Sequence, residues 1–245
     1  FQLIDAPWHA RGIAAMIAEY EAALPPGAWP NWVLGNHDRP RIAARLGDAQ
    51  ARVAAMLLLT LRGTPTLYYG DELGIGSVEI PHAQVQDPRE LREPGLGLGR
   101  DPARTPMPWD ATPHAGFTTG TPWLPLNQDW PERNVQEMGS SSRSLLALYR
   151  QLLALRRAHR ALSLGAIALL DATGNVLAYE RRSGDERLLV VLNLGDAPEA
   201  LTLPLPWRNA RVLLSTLGDE EHRDAQDRIA LRPAEGVILA APEAT

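Results

Sequence analysis

The 245 residues are enough for one large domain or two modest ones, and 45% hydrophobic with 22% charged residues is ordinary for a globular chain. The net charge of -5 leaves no basic stripe for nucleic acid, and all 24 residues in the Lys+Arg count are arginine. With no Lys and no Cys, a Schiff-base lysine, a P-loop, a thiolate nucleophile, disulfides and cysteine metal sites are excluded.

The run Phe1-Gln2-Leu3-Ile4 suits a short strand, and a chain opening there reads as a processed product or a fragment. Ile13, Met16, Ile17, Tyr20 and Leu24 recur at helical spacing until Pro25-Pro26-Gly27. Trp32-Val33-Leu34 is a second strand candidate. A broken helix follows, with Ile42 to Leu46 as one piece, Gly47-Asp48 as a stop and new cap, and Val53, Met56, Leu57 and Leu61 continuing it. Thr66 to Tyr69 is the third strand candidate, so the order predicts α/β with a parallel sheet. From Val78 to Arg133 ten prolines exclude regular helix or sheet through the stretch. Its aromatics (Trp109, Phe117, Trp123, Trp130 and, beyond it, Tyr149) predict an ordered loop packed on something. Ser140 to Ser142 is expected to cap an amphipathic helix along Leu145, Leu148, Leu152 and Leu155.

After Leu164-Gly165 the pattern turns to short β-rich runs. They cover 166–170, 176–181, 188–194, 200–203, 212–214, 229–231 and 237–240, and predict an antiparallel sandwich or barrel. The domain boundary is placed near Leu164, giving domains 1–164, with a long loop at 75–139, and 165–245. No apolar run nears the roughly 20 residues that span a bilayer, and no N-terminal stretch has a signal-peptide pattern. No membrane association is therefore expected, and the compartment stays open, with cytoplasmic preferred over secreted.

Three segments carry polar chemistry. In Asn31 to Arg41 an apolar strand ends in Gly35-Asn36-His37-Asp38, where parallel α/β proteins place ligands and catalytic groups. The alternative is that Asp38 only caps the next helix and His37 satisfies a core hydrogen bond. Gly63 to Gly74 is again strand, glycine and carboxylates, here Asp71 and Glu72, which equally suit holding the strand end. Arg100 to Asp110 is a proline-pinned loop presenting Arg and Trp, a pairing that suits sugars and suits plain loop packing.

In this order and at these distances, the three segments resemble the C-terminal half of an α-amylase-family glycoside hydrolase (family 13), on the α-glucosidase and oligo-1,6-glucosidase branch. Gly35-Asn36-His37-Asp38 matches the signature at barrel strand seven, Gly63 to Gly74 the strand-eight region, and Arg100 to Asp110 the Arg-Asp-x-x-Arg-Thr-Pro-Met-x-Trp loop. The implied fold is the last part of a (β/α)8 barrel, about strands six to eight with Phe1 to Ile4 as strand six, followed by an antiparallel β-sandwich. The implied chemistry is retaining hydrolysis of α-glucosides or maltooligosaccharides. Asp38 would be the transition-state-stabilising carboxylate, and His37, Arg41 and Arg104 would bind substrate.

The family's nucleophilic Asp and acid/base Glu precede the matched part, and no Gly-Phe-Arg-x-Asp-like segment occurs here. The chain is therefore expected to be inactive alone, with the N-terminal half of the barrel as a partner. No cofactor is expected. A family Ca²⁺ site is not assignable, since the resemblance places it mainly outside this part, and His9, His82, His114, His159 and His222 lack ligand spacing. Two further readings stay open: a transferring or isomerising relative (trehalose synthase, sucrose isomerase), and a non-catalytic sugar-binding or scaffold relative.

Overall fold

The structure is a computed structural model and describes residues 2–219 and 224–242. In chain order its helices and strands are α1 (Gln2–Asp5), α2 (Ala10–Ala23), β1 (Asn31–Val33), α3 (Ile42–Thr60), β2 (Thr64–Thr66), α4 (Pro88–Arg92), α5 (Val135–Ser140), α6 (Leu145–Ala158) and α7 (Arg160–Ser163), followed by β3 (Ala166–Leu170), β4 (Val176–Ser183), β5 (Glu186–Asn193), β6 (Glu199–Thr202), β7 (Ala210–Ser215), β8 (Asp224–Ala225), β9 (Arg228–Leu231) and β10 (Gly236–Ala240). They form two compact units, one of residues 1–33, 52–66 and 148–245, the other of 34–51 and 67–147.

In the first unit β1 and β2 pair in parallel, Asn31 opposite Thr64 and Val33 opposite Thr66. The third strand candidate therefore lies two residues earlier than its apolar run suggests, and Tyr68 and Tyr69 are released to the following turn. The strand expected at Phe1 to Ile4 is corrected. Residues 2–5 are helical, with Leu3 and Ile4 both buried, and so short an apolar run cannot be told from a buried helical turn by period alone. Phe1 lies outside the described residues. Helix α2 starts at His9, whose extended backbone and Nδ1, accepting the Gly12 N–H at 3.0 Å, make an N-cap.

The C-terminal region is antiparallel throughout. Strands β3-β4-β5-β10-β7-β8 form one sheet in that order, and β6 with β9 forms a two-stranded second sheet. Between them lie Leu189, Val191, Leu201, Ile229, Leu231, Val237 and Leu239, alternate residues of their strands, together with Trp207 from the turn before β7. Leu188, Val190 and Leu192 point the other way and are equally buried. That face is covered by α2 and α7, and Thr60 Oγ1 at the end of α3 lies 2.5 Å from the Tyr179 hydroxyl. Burial on both faces explains why β5 is a continuous apolar run.

Replacing Leu189 with Ala leaves a cavity in this sandwich and is expected to cost about 3 kcal/mol, read as a fall in the urea midpoint at constant m. A loss under about 1 kcal/mol would show a core that collapses freely around the site.

In the second unit, Gly47 breaks α3 with φ 77 and ψ 164, a conformation that favours glycine. The long loop is ordered by local capping. Asp87 caps the five-residue α4, with Pro88 inside the first turn, so one short helix does occur in the proline-rich stretch. Asn134 caps α5 through its Oδ1 and holds the Trp130 and Pro131 carbonyls through its Nδ2. Arg133 binds Asp48, Asp129 and the Leu73 and Gly74 carbonyls. Ser144, rather than Ser140 to Ser142, caps α6, its Oγ accepting the Ala147 N–H at 3.0 Å.

Not all the aromatics pack inward. Tyr149 is buried, but Trp109, Phe117 and Trp123 are 50%, 47% and 72% exposed and line a cleft of about 510 Å³. Among the described residues no helix is long and apolar enough to cross a membrane.

Candidate active site

The segment after β1 leaves the strand at Leu34 and turns through Asn36, whose Oδ1 accepts the Asp38 N–H at 2.9 Å. This Asx turn projects His37 and Asp38 outward, with side chains 63% and 46% exposed. Asp38 is thus neither a helix cap nor a core group. Two guanidinium donors converge on its Oδ1, Arg100 Nη1 at 3.2 Å and Arg104 Nη2 at 3.2 Å, and His37 Nε2 lies 3.4 Å from the same oxygen. Arg104 Nε also donates to the His37 carbonyl at 3.0 Å, tying both loops together. Among the described residues Oδ2 receives no hydrogen bond.

Partial desolvation pushes the Asp38 pKa up. The hydrogen bond from Arg100 and the charges of His37, Arg100 and Arg104 outweigh it and hold the carboxyl below the ordinary 3.8. Asp38 is therefore ionised at neutral and mildly acidic pH.

Arg100 is itself anchored. Its Nε and Nη2 bind the two oxygens of Asp87 at 2.7 and 2.8 Å in a bidentate pair, and its N–H donates to Asp87 Oδ2 at 2.8 Å. The Asp87 side chain is fully buried, and the Arg100 hydrogen bond holds its carboxyl far below the usual range. Asp101 Oδ2 in turn accepts the Gln86 and Asp87 N–H groups at 2.7 and 2.9 Å. Asp38, His82, Glu90, Arg100 and Ala103 share the wall of a groove of about 870 Å³.

Since Asp87 is depressed in the folded state, its stabilisation is present above its unfolded pKa, about 3.9, and is lost as pH falls through the folded value. Asp87→Ala is expected to cost about 2 kcal/mol at pH 7, the partly exposed Arg100 reducing the full cost of breaking a buried pair. The difference from the parent should shrink as pH falls below about 3.9. Urea unfolding at pH 7 and pH 2 checks this, and equal losses at both would refute the sign.

Of the four residues singled out in the sequence, the structure brings Asp38, His37 and Arg104 together. Arg41 is corrected. It is 1% exposed, donates Nη1 to the Tyr69 carbonyl and stacks 5.0 and 4.5 Å over the Tyr68 and Tyr69 rings, so no face remains for a substrate. Sequence reasoning missed Arg100 and Asp87. Arg100 opens the same quoted loop as Arg104, a signal that was present; Asp87-Pro88 reads only as a helix start.

Among the described residues no three of His, Asp or Glu group as metal ligands. His9 caps α2 through its Nδ1, and His159, at the start of α7, bonds Glu186 at 2.7 Å while Glu186 accepts the Ala161 N–H. His222 lies outside the described residues.

The chain thus holds a parallel α/β part and an antiparallel sandwich, with a carboxylate held below its ordinary pKa beside two arginines after β1. The family description "Alpha amylase, catalytic domain" matches residues 4–165, and "Maltogenic Amylase, C-terminal domain" matches 167–238. The chain belongs to the α-amylase family, and its relatives include proteins named α-glucosidase and oligo-1,6-glucosidase.

A probable alpha-glucosidase of Rhizobium meliloti (strain 1021) is 35% identical over 82% of this chain and 37% of its own. The mouse amino acid transporter heavy chain SLC3A1 is 33% identical over 91% of this chain and 33% of its own. A crystal structure of the α-glucosyl transfer enzyme XgtA superposes with TM-score 0.89 at 33% identity, covering 99% of this chain and 45% of that one. The chain thus spans less than half the length of the relatives it matches.

Proposed function

We propose that this chain is the C-terminal part of a retaining α-glucosidase-type hydrolase acting on short α-glucosides, with the domain boundary near Leu164. The carrying observation is the exposed Asp38 carboxylate, held ionised by two arginines beside one oxygen, with His37 near it, while the other oxygen takes no bond among the described residues. Oδ2 accepts sugar hydroxyls, and the fixed negative charge stabilises the oxocarbenium-like transition state. His37 and Arg104 orient the sugar beside it.

Every residue of this cluster binds or orients. The nucleophile that forms the glycosyl-enzyme and the acid that protonates the leaving group are supplied by barrel sequence outside these 245 residues, in keeping with the partial coverage of the relatives.

The test is the full-length enzyme with and without Asp38→Asn on isomaltose, maltose and sucrose. Free glucose lost in the variant supports hydrolysis. A rearranged disaccharide supports the transferring or isomerising alternative, which the likeness to XgtA favours. Turnover unaffected by the substitution refutes the site. A scaffold role, suggested by the SLC3A1 similarity, predicts no turnover by the full-length protein at all.

A further inference from the structure

The two arginines beside Asp38 are partly exposed, their side chains 26% and 29% accessible. Exposed ion pairs are weak, because two long side chains must be held in one geometry. Arg100 differs from an ordinary surface arginine in having a second, buried carboxylate behind it. We propose that Asp87 is a positioning residue for Asp38: it fixes the Arg100 guanidinium so that one nitrogen is left, aimed at Asp38 Oδ1. That this serves sugar binding rests on reading Asp38 as the sugar-binding carboxylate.

A guanidinium is planar, with its donors in a rigid fork. Asp87 takes two of the three nitrogens, Nε on Oδ2 at 2.7 Å and Nη2 on Oδ1 at 2.8 Å. A plane held at two points cannot turn, so the direction of Nη1 is set, and it meets Asp38 Oδ1 at 3.2 Å. The Arg100 N–H donates to Asp87 Oδ2 at 2.8 Å, so one group holds both the backbone and the side chain of this residue. Asp87 Oδ1 also accepts the Arg89 N–H at 3.1 Å, which gives the fully buried carboxylate four hydrogen bonds. Behind it, Asp101 Oδ2 accepts the Gln86 and Asp87 N–H groups and fixes the segment that carries Asp87. A binding group is precise when its supporting shell is itself locked, and every link from Asp101 to Asp38 is a hydrogen bond.

Position and charge make opposite demands here. Against partial desolvation, the Arg100 hydrogen bond is the leading influence that lowers Asp38, followed by the charges of His37, Arg100 and Arg104. The Asp87 charge acts in the other direction, since one carboxylate raises another. Losing Asp87 therefore lowers Asp38 if charge governs, and raises it if the aim of Arg100 governs. Asp87 is itself held far below the usual range by Arg100, so it stays ionised while Asp38 titrates.

The experiment is a carbon-13 carboxyl NMR titration of the 245-residue chain, reading Asp38 with Asp110 as internal control. Asp110 is held below its ordinary value by the Thr112 side chain and N–H. In the parent, Asp38 titrates below 3.8. In Asp87→Ala the guanidinium swings free and Asp38 rises toward 3.8, while Asp110 does not move. Arg100→Lys keeps the positive charge and the Asp87 carboxylate, but its single nitrogen cannot hold both Asp87 oxygens and direct a further donor at Asp38. Asp38 rises in that variant too, which decides the matter if Asp87→Ala does not fold.

An Asp38 value unchanged or lowered in either folded variant overturns the proposal. So does a rise of Asp110 alongside it, the mark of general loosening. No sugar enters the measurement. Its failure therefore leaves the glycosidase reading standing, and an inactive full-length enzyme leaves the anchoring of Arg100 standing.

Discussion

Replacing Arg181 with Met is expected to lower the stability of the chain by about 3 kcal/mol, although a side chain of similar length remains. Arg181 is fully buried on β4. It donates to the Thr60 carbonyl, to Gly165 at 2.9 Å and to Ala166 at 3.3 Å, closing the end of α3 and the start of β3. These acceptors are backbone groups at element ends, where helices and strands leave carbonyls unpaired.

Met covers the apolar surroundings but leaves carbonyls without donors, at about 1–3 kcal/mol each. Relief from burying a charge offsets part of this, since burial already pulls the arginine down to about 10. Urea unfolding should show a lower midpoint at unchanged m. A loss below about 1 kcal/mol would mean that water replaces the guanidinium.

The largest effect on chemistry is expected at Asp38. In the full-length enzyme, Asp38→Ala should reduce kcat/KM by about 10³-fold or more, the scale of losing a group that stabilises developing charge. Asp38→Asn should be nearly as damaging. It keeps hydrogen-bonding capacity but leaves Arg100, Arg104 and His37 converging on a neutral amide. Initial rates on isomaltose measure both, and a fall of less than tenfold for Asp38→Ala would remove it from the machinery.

How much of this was readable from the chain depended on the kind of signal. The sandwich strands were legible because alternation and turn dipeptides are local. Strand β3 falls on the apolar run Ala166 to Leu170, and β5 overlaps Leu188 to Leu194. The break in α3 was legible because Gly47 punctuates it. The helix at 2–5 was not, since so short a run, with only Leu3 and Ile4 apolar within it, carries no period. Nor was the role of the aromatics, because a Trp in a proline-rich loop looks the same whether it packs inward or lines a cleft.

At the site, His37, Asp38 and Arg104 came from motif order. Arg41 was misread because spacing along the loop says nothing of side-chain direction, and the guanidinium turns inward to Tyr69. Asp87 and Asp71 were hidden for a related reason. Asp87 acts on Arg100, a partner distant in sequence, through contacts that only the fold creates, and Asp71 is buried in a turn that sequence shows only as a strand end.

The central claim is that Asp38 assists a glycosyl transfer whose covalent and proton-transfer groups reside outside this chain. Incubating the purified 245-residue protein with p-nitrophenyl α-glucoside tests it most directly, with Asp38→Ala in parallel. The expected result is no nitrophenol release above background from either protein. Release by the parent that the substitution abolishes would show that these residues alone hold a complete catalytic set.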